Sequence, residues 1–171
     1  MSIVLVGLMG SGKSTIGKLL ASRLFLSFMD LDEMIVQAQG KSIPQIFEDD
    51  GEQTFRKMES EALQAALSQE KGSIIATGGG AVLSKKNRDM MQQAVQVVWL
   101  DARHDVLAAR ITGDANRPLL HDVDPLEKIK ALTAERNPLY AEVSDLCIDT
   151  GEMNTKEAVD TIADFMSELP V

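Results

Sequence analysis

The chain has 171 residues, 44% of them apolar and 25% charged, a globular mixture that excludes collagen-like, low-complexity and largely disordered chains. Seventeen Lys and Arg against 26 Asp and Glu leave a net charge of −9, which argues against binding duplex nucleic acid, since that needs a basic face. The one cysteine, Cys147, excludes an internal disulfide or a thiolate zinc site, and no apolar run approaches the ~20 residues of a membrane span.

Strand and helix signals alternate along the chain. Ile3 to Val6 is short, apolar and β-branched, which predicts a strand buried on both faces. No basic segment precedes it, so it reads as a strand and not a signal peptide, and a cytoplasmic protein is expected. Lys13 to Leu24 has helical spacing, Leu26 to Met29 is a weak strand ending at Asp30, and Leu31 to Ala38 is a helix that Gly40 can stop. Ser42-Ile-Pro-Gln45 has the spacing of a capping box, and Asp50-Gly-Glu-Gln53 repeats it, so Asp50 is expected to cap a second helix running to about Ser68. Ser73 to Ala76 and Val95 to Leu100 are strands, with a helix from about Ala102 to Ile111. Asp124-Pro125-Leu126-Glu127 opens another helix, Leu146 to Ile148 is a last strand, and Thr155 to Leu169 is an amphipathic helix. This alternation predicts an α/β chain with a parallel sheet and helices on both faces. Thr112 to Val123, rich in Gly, Asp, Asn, Pro and His, has little periodicity and is a candidate lid over about 112–123.

Gly7-Leu-Met-Gly-Ser-Gly12-Lys13-Ser14 matches G-x-x-x-x-G-K-[ST] at every fixed position and lies between the first strand and the first helix. Its backbone amides and the helix N-terminus suit phosphate oxygens, Lys13 suits the β- and γ-phosphates, and Ser14 suits Mg²⁺. Nucleotide contacts are therefore expected at Gly10, Ser11, Gly12, Lys13, Ser14 and Thr15. A dinucleotide fingerprint fails because Thr15 stands where its last glycine belongs and Lys13-Ser14 has no part in it. A regulatory GTPase fails because neither Asn-Lys-x-Asp nor an Asp-x-x-Gly follows the loop.

Asp30 and Asp32 follow the second strand, at the sheet edge where α/β ligands gather. Asp30 suits the magnesium shell and Asp32 an acceptor hydroxyl, while helix capping accounts for the same pair without chemistry. Arg56 and Arg136 read either as solvated helix positions or as forks for a carboxylate or phosphate. Arg117, in the candidate lid, suits a transferring phosphoryl group. Gly78-Gly79-Gly80 at a strand end suggests either a flexible turn or a backbone pressed against a ligand.

In that order the chain resembles the shikimate kinase family: the loop Gly7 to Ser14, Asp30-x-Asp32, Gly51-Glu52-x-x-Phe55-Arg56-x-x-Glu59, Gly78-Gly79-Gly80-Ala81-Val82, Arg117-Pro118-Leu119-Leu120 and Arg136-x-Pro138-x-Tyr140. The resemblance covers Ile3 to about Thr150. It implies a three-layer P-loop kinase fold with a five-stranded parallel sheet and a mobile lid, and a single domain over 1–171 with a substrate-binding segment at about 31–60. It implies ATP- and Mg²⁺-dependent phosphorylation of the 3-hydroxyl of shikimate, a step of aromatic amino acid biosynthesis. Asp32 would be the base, and Lys13, Asp32 and Arg117 the catalytic set. Arg56, Arg136 and the glycine triplet would hold the acceptor's carboxylate and body. Arg117 would contact phosphates, Arg110 would lie against adenine, and Ser14 and Asp30 would serve the metal. The partners expected are ATP and the small acid, with no nucleic acid and no membrane, and the chain is expected to be a monomer. The rival readings are a gluconate-type sugar-acid kinase and a non-catalytic ATP-binding regulatory domain.

The remaining distinctive residues read as structure. His104 and His121 have no nearby ligand set, Trp99 and the nine methionines suit the core, Glu48, Asp49, Asp50 and Glu52 form a solvated helix entrance, and Cys147 is expected to be buried.

Overall fold

The computed structural model describes residues 2–94, 96–112 and 124–169. Five strands, β1 (Ile3–Val6), β2 (Ser27–Asp30), β3 (Ser73–Ala76), β4 (Gln96–Asp101) and β5 (Leu146–Asp149), form one parallel sheet in the order β2-β3-β1-β4-β5. Side chains alternate along each strand, so each central strand feeds two cores. Ile3 and Leu5 of β1 pack with Ile74 and Val98 against Ile16 and Leu20 of α1 (Lys13–Leu24) and Val159 and Ile162 of α7 (Thr155–Ser167). Val4 and Val6 join Ile75 and Val97 on the opposite face. They meet α2 (Leu31–Gln39), α3 (Ile43–Leu67), α4 (Lys85–Ala94), α5 (His104–Ile111) and α6 (Pro125–Val143) through Leu31, Leu63, Met91, Leu107 and Ile129. A small third core of Ile35, Ile46 and Phe55 lies between α2 and α3.

Local chemistry sets most element ends. Asp30 caps α2, and Gly40 ends it with φ 65°. Ser42 and Gln45 form the expected capping box at α3, and Asp124 with Pro125 opens α6 as expected. Asn154 and Glu157 form a further capping box at α7.

Three expectations are corrected. Asp50 caps no helix among the described residues; its carboxylate accepts from Lys41 Nζ at 3.2 Å, and α3 runs on through a single break at Gly51 (φ 83°, ψ 165°). One glycine with a left-handed φ can bend a helix without needing a new cap. Cys147 is exposed, because β5 is an edge strand and alternation turns Ile148 inward and Cys147 outward. α4 was not expected: of its ten residues, KKNRDMMQQA, only Met90 and Met91 are large and apolar, too few for a periodic signal. Val95, Arg117, His121 and, apart from Thr112, the candidate lid lie outside the described residues. Among the described residues no helix is long and apolar enough to cross a membrane.

Candidate active site

The parallel sheet places the ends of β1, β2 and β3 side by side, and Asp30 pairs in register with Ala76, the residue before Thr77 and the glycine triplet. A cavity of about 710 Å³ opens along this edge. Its volume suits a ligand pair of ordinary metabolite size.

One end of the cavity is the phosphate loop. Gly7, Gly10 and Gly12 have φ of 143°, 80° and 100°, values that an L side chain rarely adopts. At Gly10 a β-carbon would also lie 2.8 Å from Ile111 Cγ2 and 3.2 Å from the Leu107 carbonyl, so the loop sits directly on α5. Lys13 Nζ donates to the Gly7 and Leu8 carbonyls at 2.7 and 2.9 Å, laying its charge across the loop. Gly10 to Thr15 all line the cavity.

Beside the loop, Ser14 Oγ donates to Asp30 Oδ2 at 2.8 Å. Asp30 Oδ1 accepts from the backbone N–H groups of Asp32 (3.0 Å) and Glu33 (3.3 Å). The capping reading of Asp30 holds: one oxygen caps α2, while the other meets the Ser14 hydroxyl. A hydroxyl and a carboxylate oxygen side by side suit Mg²⁺, which takes one or two protein oxygens and completes its shell with phosphate and water. Among the described residues no cluster of three or more acidic, His or Cys ligands is found.

Arg110 joins the loop to the end of β5. Its Nη1 donates to the Gly10 carbonyl at 3.0 Å and to Thr150 Oγ1 at 3.1 Å, and Nη2 donates to the Thr150 carbonyl at 2.8 Å. The Thr150 hydroxyl in turn lies 2.9 Å from the Ser11 carbonyl. Thr150 carried no sequence signal of this role, because its partners, the Arg110 guanidinium and the Ser11 and Asp101 carbonyls, lie 40 or more residues away in the chain.

The other end gathers charges. A β-carbon at Gly78 would stand 2.7 Å from Glu59 Oε2 and 3.1 Å from Asp32 Oδ1, and one at Gly79 would stand 3.3 Å from Arg136 Nη1. One at Gly80 would fall on the Arg56 guanidinium. Each glycine thus faces a different part of the charged set, and the triplet is pressed close to these side chains. Arg56 Nη1 donates to Glu59 Oε1 at 2.9 Å, and Nη2 to Glu52 Oε1 at 3.3 Å. Arg136 is 4% exposed and forms no ion pair among the described residues. Glu59 is 1% exposed, and burial pushes its carboxyl up to about 7, against the opposing pull of Arg56 and Arg136 and with the push of Asp32. Arg56 Nε, Arg136 Nε and Glu59 Oε2 are buried and find no hydrogen-bond partner among the described residues. An unsatisfied buried polar atom costs about 1–3 kcal/mol, and the two arginine N–H groups suit an anionic oxygen, whereas Glu59 Oε2 needs a donor.

The structure brings together the expected Asp30, Asp32, Arg56, Gly78, Gly79, Gly80, Arg110 and Arg136 around one cavity with the phosphate loop. Sequence reasoning missed Glu59 as a buried group. The signal was present: Glu59 falls in the stripe Phe55, Glu59, Leu63, Ala66, all buried. Arg136 likewise falls in the buried stripe Ile129, Leu132, Arg136, Tyr140, Val143.

Comparison with known proteins gives the family and the fold. The family model described as shikimate kinase matches residues 9–167. A shikimate kinase of Geobacter sulfurreducens is 46% identical over 167 residues, covering 98% of this chain and 91% of the relative. One from Xanthomonas axonopodis pv. citri is 45% identical, covering 92% of this chain and 87% of the relative. A solved shikimate kinase from Acinetobacter baumannii in complex with shikimate superposes with a TM-score of 0.93 at 36% identity, covering 99% of this chain and 95% of that one. The five-stranded parallel sheet flanked by helices is the fold these solved relatives share, including one from Aquifex aeolicus with a TM-score of 0.84, 37% identity, and coverage of 98% and 96%. The chain belongs to the shikimate kinase family.

Proposed function

We propose that this chain transfers the γ-phosphoryl group of ATP to the 3-hydroxyl of shikimate, forming shikimate 3-phosphate and ADP. The observation that carries the reading is the convergence of Asp32, Arg56 and Arg136 on the glycine triplet, in the same cavity as the phosphate loop. Two guanidinium groups suit a carboxylate, one aspartate suits a hydroxyl, and the loop suits a triphosphate.

Catalysis in this reading is positioning and charge compensation. The amides of Gly10 to Thr15 and the start of α1 bind phosphate oxygens, and Lys13 swings from the loop carbonyls to the β- and γ-phosphates. Arg56 and Arg136 hold the acceptor's carboxylate, which orients its hydroxyl toward the γ-phosphorus. Asp32 orients that hydroxyl and takes its proton. Ser14 and Asp30 would hold Mg²⁺, which supplies neutralisation of phosphate charge when bound. Arg110 braces the nucleotide side through Gly10 and Thr150. Arg117, outside the described residues, keeps its expected part as a phosphate contact. Residues 1–171 act in this reading as one catalytic unit and as a monomer, with about 31–60 as the acceptor segment.

Mixing the protein with ATP, Mg²⁺ and either shikimate or gluconate, and following ADP release, tests the reading. Turnover with shikimate is expected. Turnover with gluconate alone would replace the acceptor assignment, and nucleotide binding without product from either acid would make the chain a non-catalytic ATP-binding domain.

A further inference from the structure

Tyr140 lies one helical turn beyond Arg136 on α6, so the two side chains leave the helix on one face. Tyr140 is fully buried, its hydroxyl donates to the Gly79 carbonyl at 2.6 Å, and its ring lies 5.8 Å from that of Trp99 on β4. Burial pushes its hydroxyl far above the usual tyrosine range, so it remains a donor at every working pH. Two further side chains, both from α4, hold the loop beyond the triplet: Asn87 Nδ2 donates to the Ala81 carbonyl at 2.9 Å and Arg88 Nη1 to the Val82 carbonyl at 2.8 Å.

The Gly79 carbonyl and the Gly80 N–H belong to one planar trans peptide and point in opposite directions. A carbonyl held by Tyr140 therefore turns the Gly80 N–H away from the tyrosine, and Gly80 itself lines the cavity. Among the described residues this N–H makes no hydrogen bond. The same loop position is flanked by both guanidinium groups, Arg136 at Gly79 and Arg56 at Gly80.

We propose that Tyr140 is a positioning residue for the acceptor: its hydroxyl fixes the Gly79–Gly80 peptide of the triplet, which the family resemblance already sets against the acid beside Arg56 and Arg136. The inference deepens the function proposed above and rests on it. A tyrosine that only satisfied a buried carbonyl would affect melting and leave acceptor affinity alone.

Tyr140→Phe removes the hydroxyl and keeps the ring beside Trp99. In steady-state assays it should raise the shikimate KM about five- to thirty-fold, the range for a lost buried hydrogen bond, and leave the ATP KM and kcat within about two-fold. A wild-type protein that fails to turn over shikimate overturns the acceptor reading and this inference with it. Wild-type turnover combined with a variant shikimate KM within about two-fold of wild type, or with a parallel rise in ATP KM, overturns this inference alone. Amide NMR on the wild-type protein makes the test independent of how the variant folds. The Gly80 resonance should shift on saturation with shikimate, and a resonance that does not move overturns the proposal.

Discussion

Glu59 Oε1 accepts from Arg56 Nη1 at 2.9 Å, three residues earlier on α3, although Glu59 is almost wholly buried and Arg56 keeps part of its surface open to the cavity. The pair puts a titrating group directly behind a cation proposed to hold the acceptor, and Asp32 and Arg136 face the same carboxyl.

Glu59 therefore makes stability depend on pH. In the unfolded chain its carboxyl loses its proton near 4.5, and in the folded protein it keeps the proton up to about 7. Between those values the folded state binds more protons, so the stability this group contributes is complete below pH 4.5 and falls as pH rises to about 7. Glu59→Gln should remove that slope, at most about 1.4 kcal/mol per pH unit. Denaturant titrations of both proteins across this window check it, and identical pH dependences would refute the assignment. The wild-type shikimate KM should also rise as pH passes upward through about 7, because ionised Glu59 then competes with the acceptor for Arg56.

Arg136→Ala should raise the shikimate KM by about 30-fold or more, the cost of truncating one partner of a desolvated charge pair. The ATP KM should change by less than about three-fold, because Arg136 faces Gly79 at the end of the cavity away from the phosphate loop. Equal increases in the two constants would contradict the carboxylate role.

Gly80→Ala tests the close approach. Gly80 has φ −93°, so alanine meets no backbone strain there, but its β-carbon would displace the Arg56 guanidinium. The protein should fold and bind ATP normally while its shikimate KM rises about ten-fold, for the loss of one charged hydrogen-bond pair. An unchanged shikimate KM would show that Arg56 does not hold the acceptor.

Lys13→Ala should lower turnover by about 10³-fold or more, through the loss of charge compensation at the transferred phosphoryl group. Lys13 also bridges the carbonyls of the buried Gly7 and Leu8, so melting should fall too, by the few degrees that one or two lost hydrogen bonds cost. A variant that keeps the wild-type rate would remove the loop from catalysis.

The nucleotide half of the site was readable from the sequence because its information is local. Gly7 to Ser14 declares a strand-loop-helix unit within eight consecutive residues, and Asp124-Pro125 announces α6 in the same way. The acceptor half was readable only in part, because Arg56, Glu59, Gly78 and Arg136 meet through the sheet and not through spacing. Read as surface charge, Glu59 looked like half of an ordinary i,i+3 pair. Read as a position in an apolar stripe, it was the residue out of place, and Arg136 was its counterpart on α6. Cys147 was misplaced because burial of a strand depends on its position in the sheet, and nothing within Leu146 to Ile148 says that β5 is an edge.

Asp30 carries a further implication. Its two oxygens serve separate ends: one starts a helix, the other meets the hydroxyl beside the nucleotide. Under the proposed function this side chain therefore serves assembly of the protein and turnover together. Of the natural replacements, asparagine alone preserves the reach and an acceptor for the first task, and it gives up the negative charge needed for the second. If the proposed magnesium role holds, no single replacement at position 30 keeps both tasks.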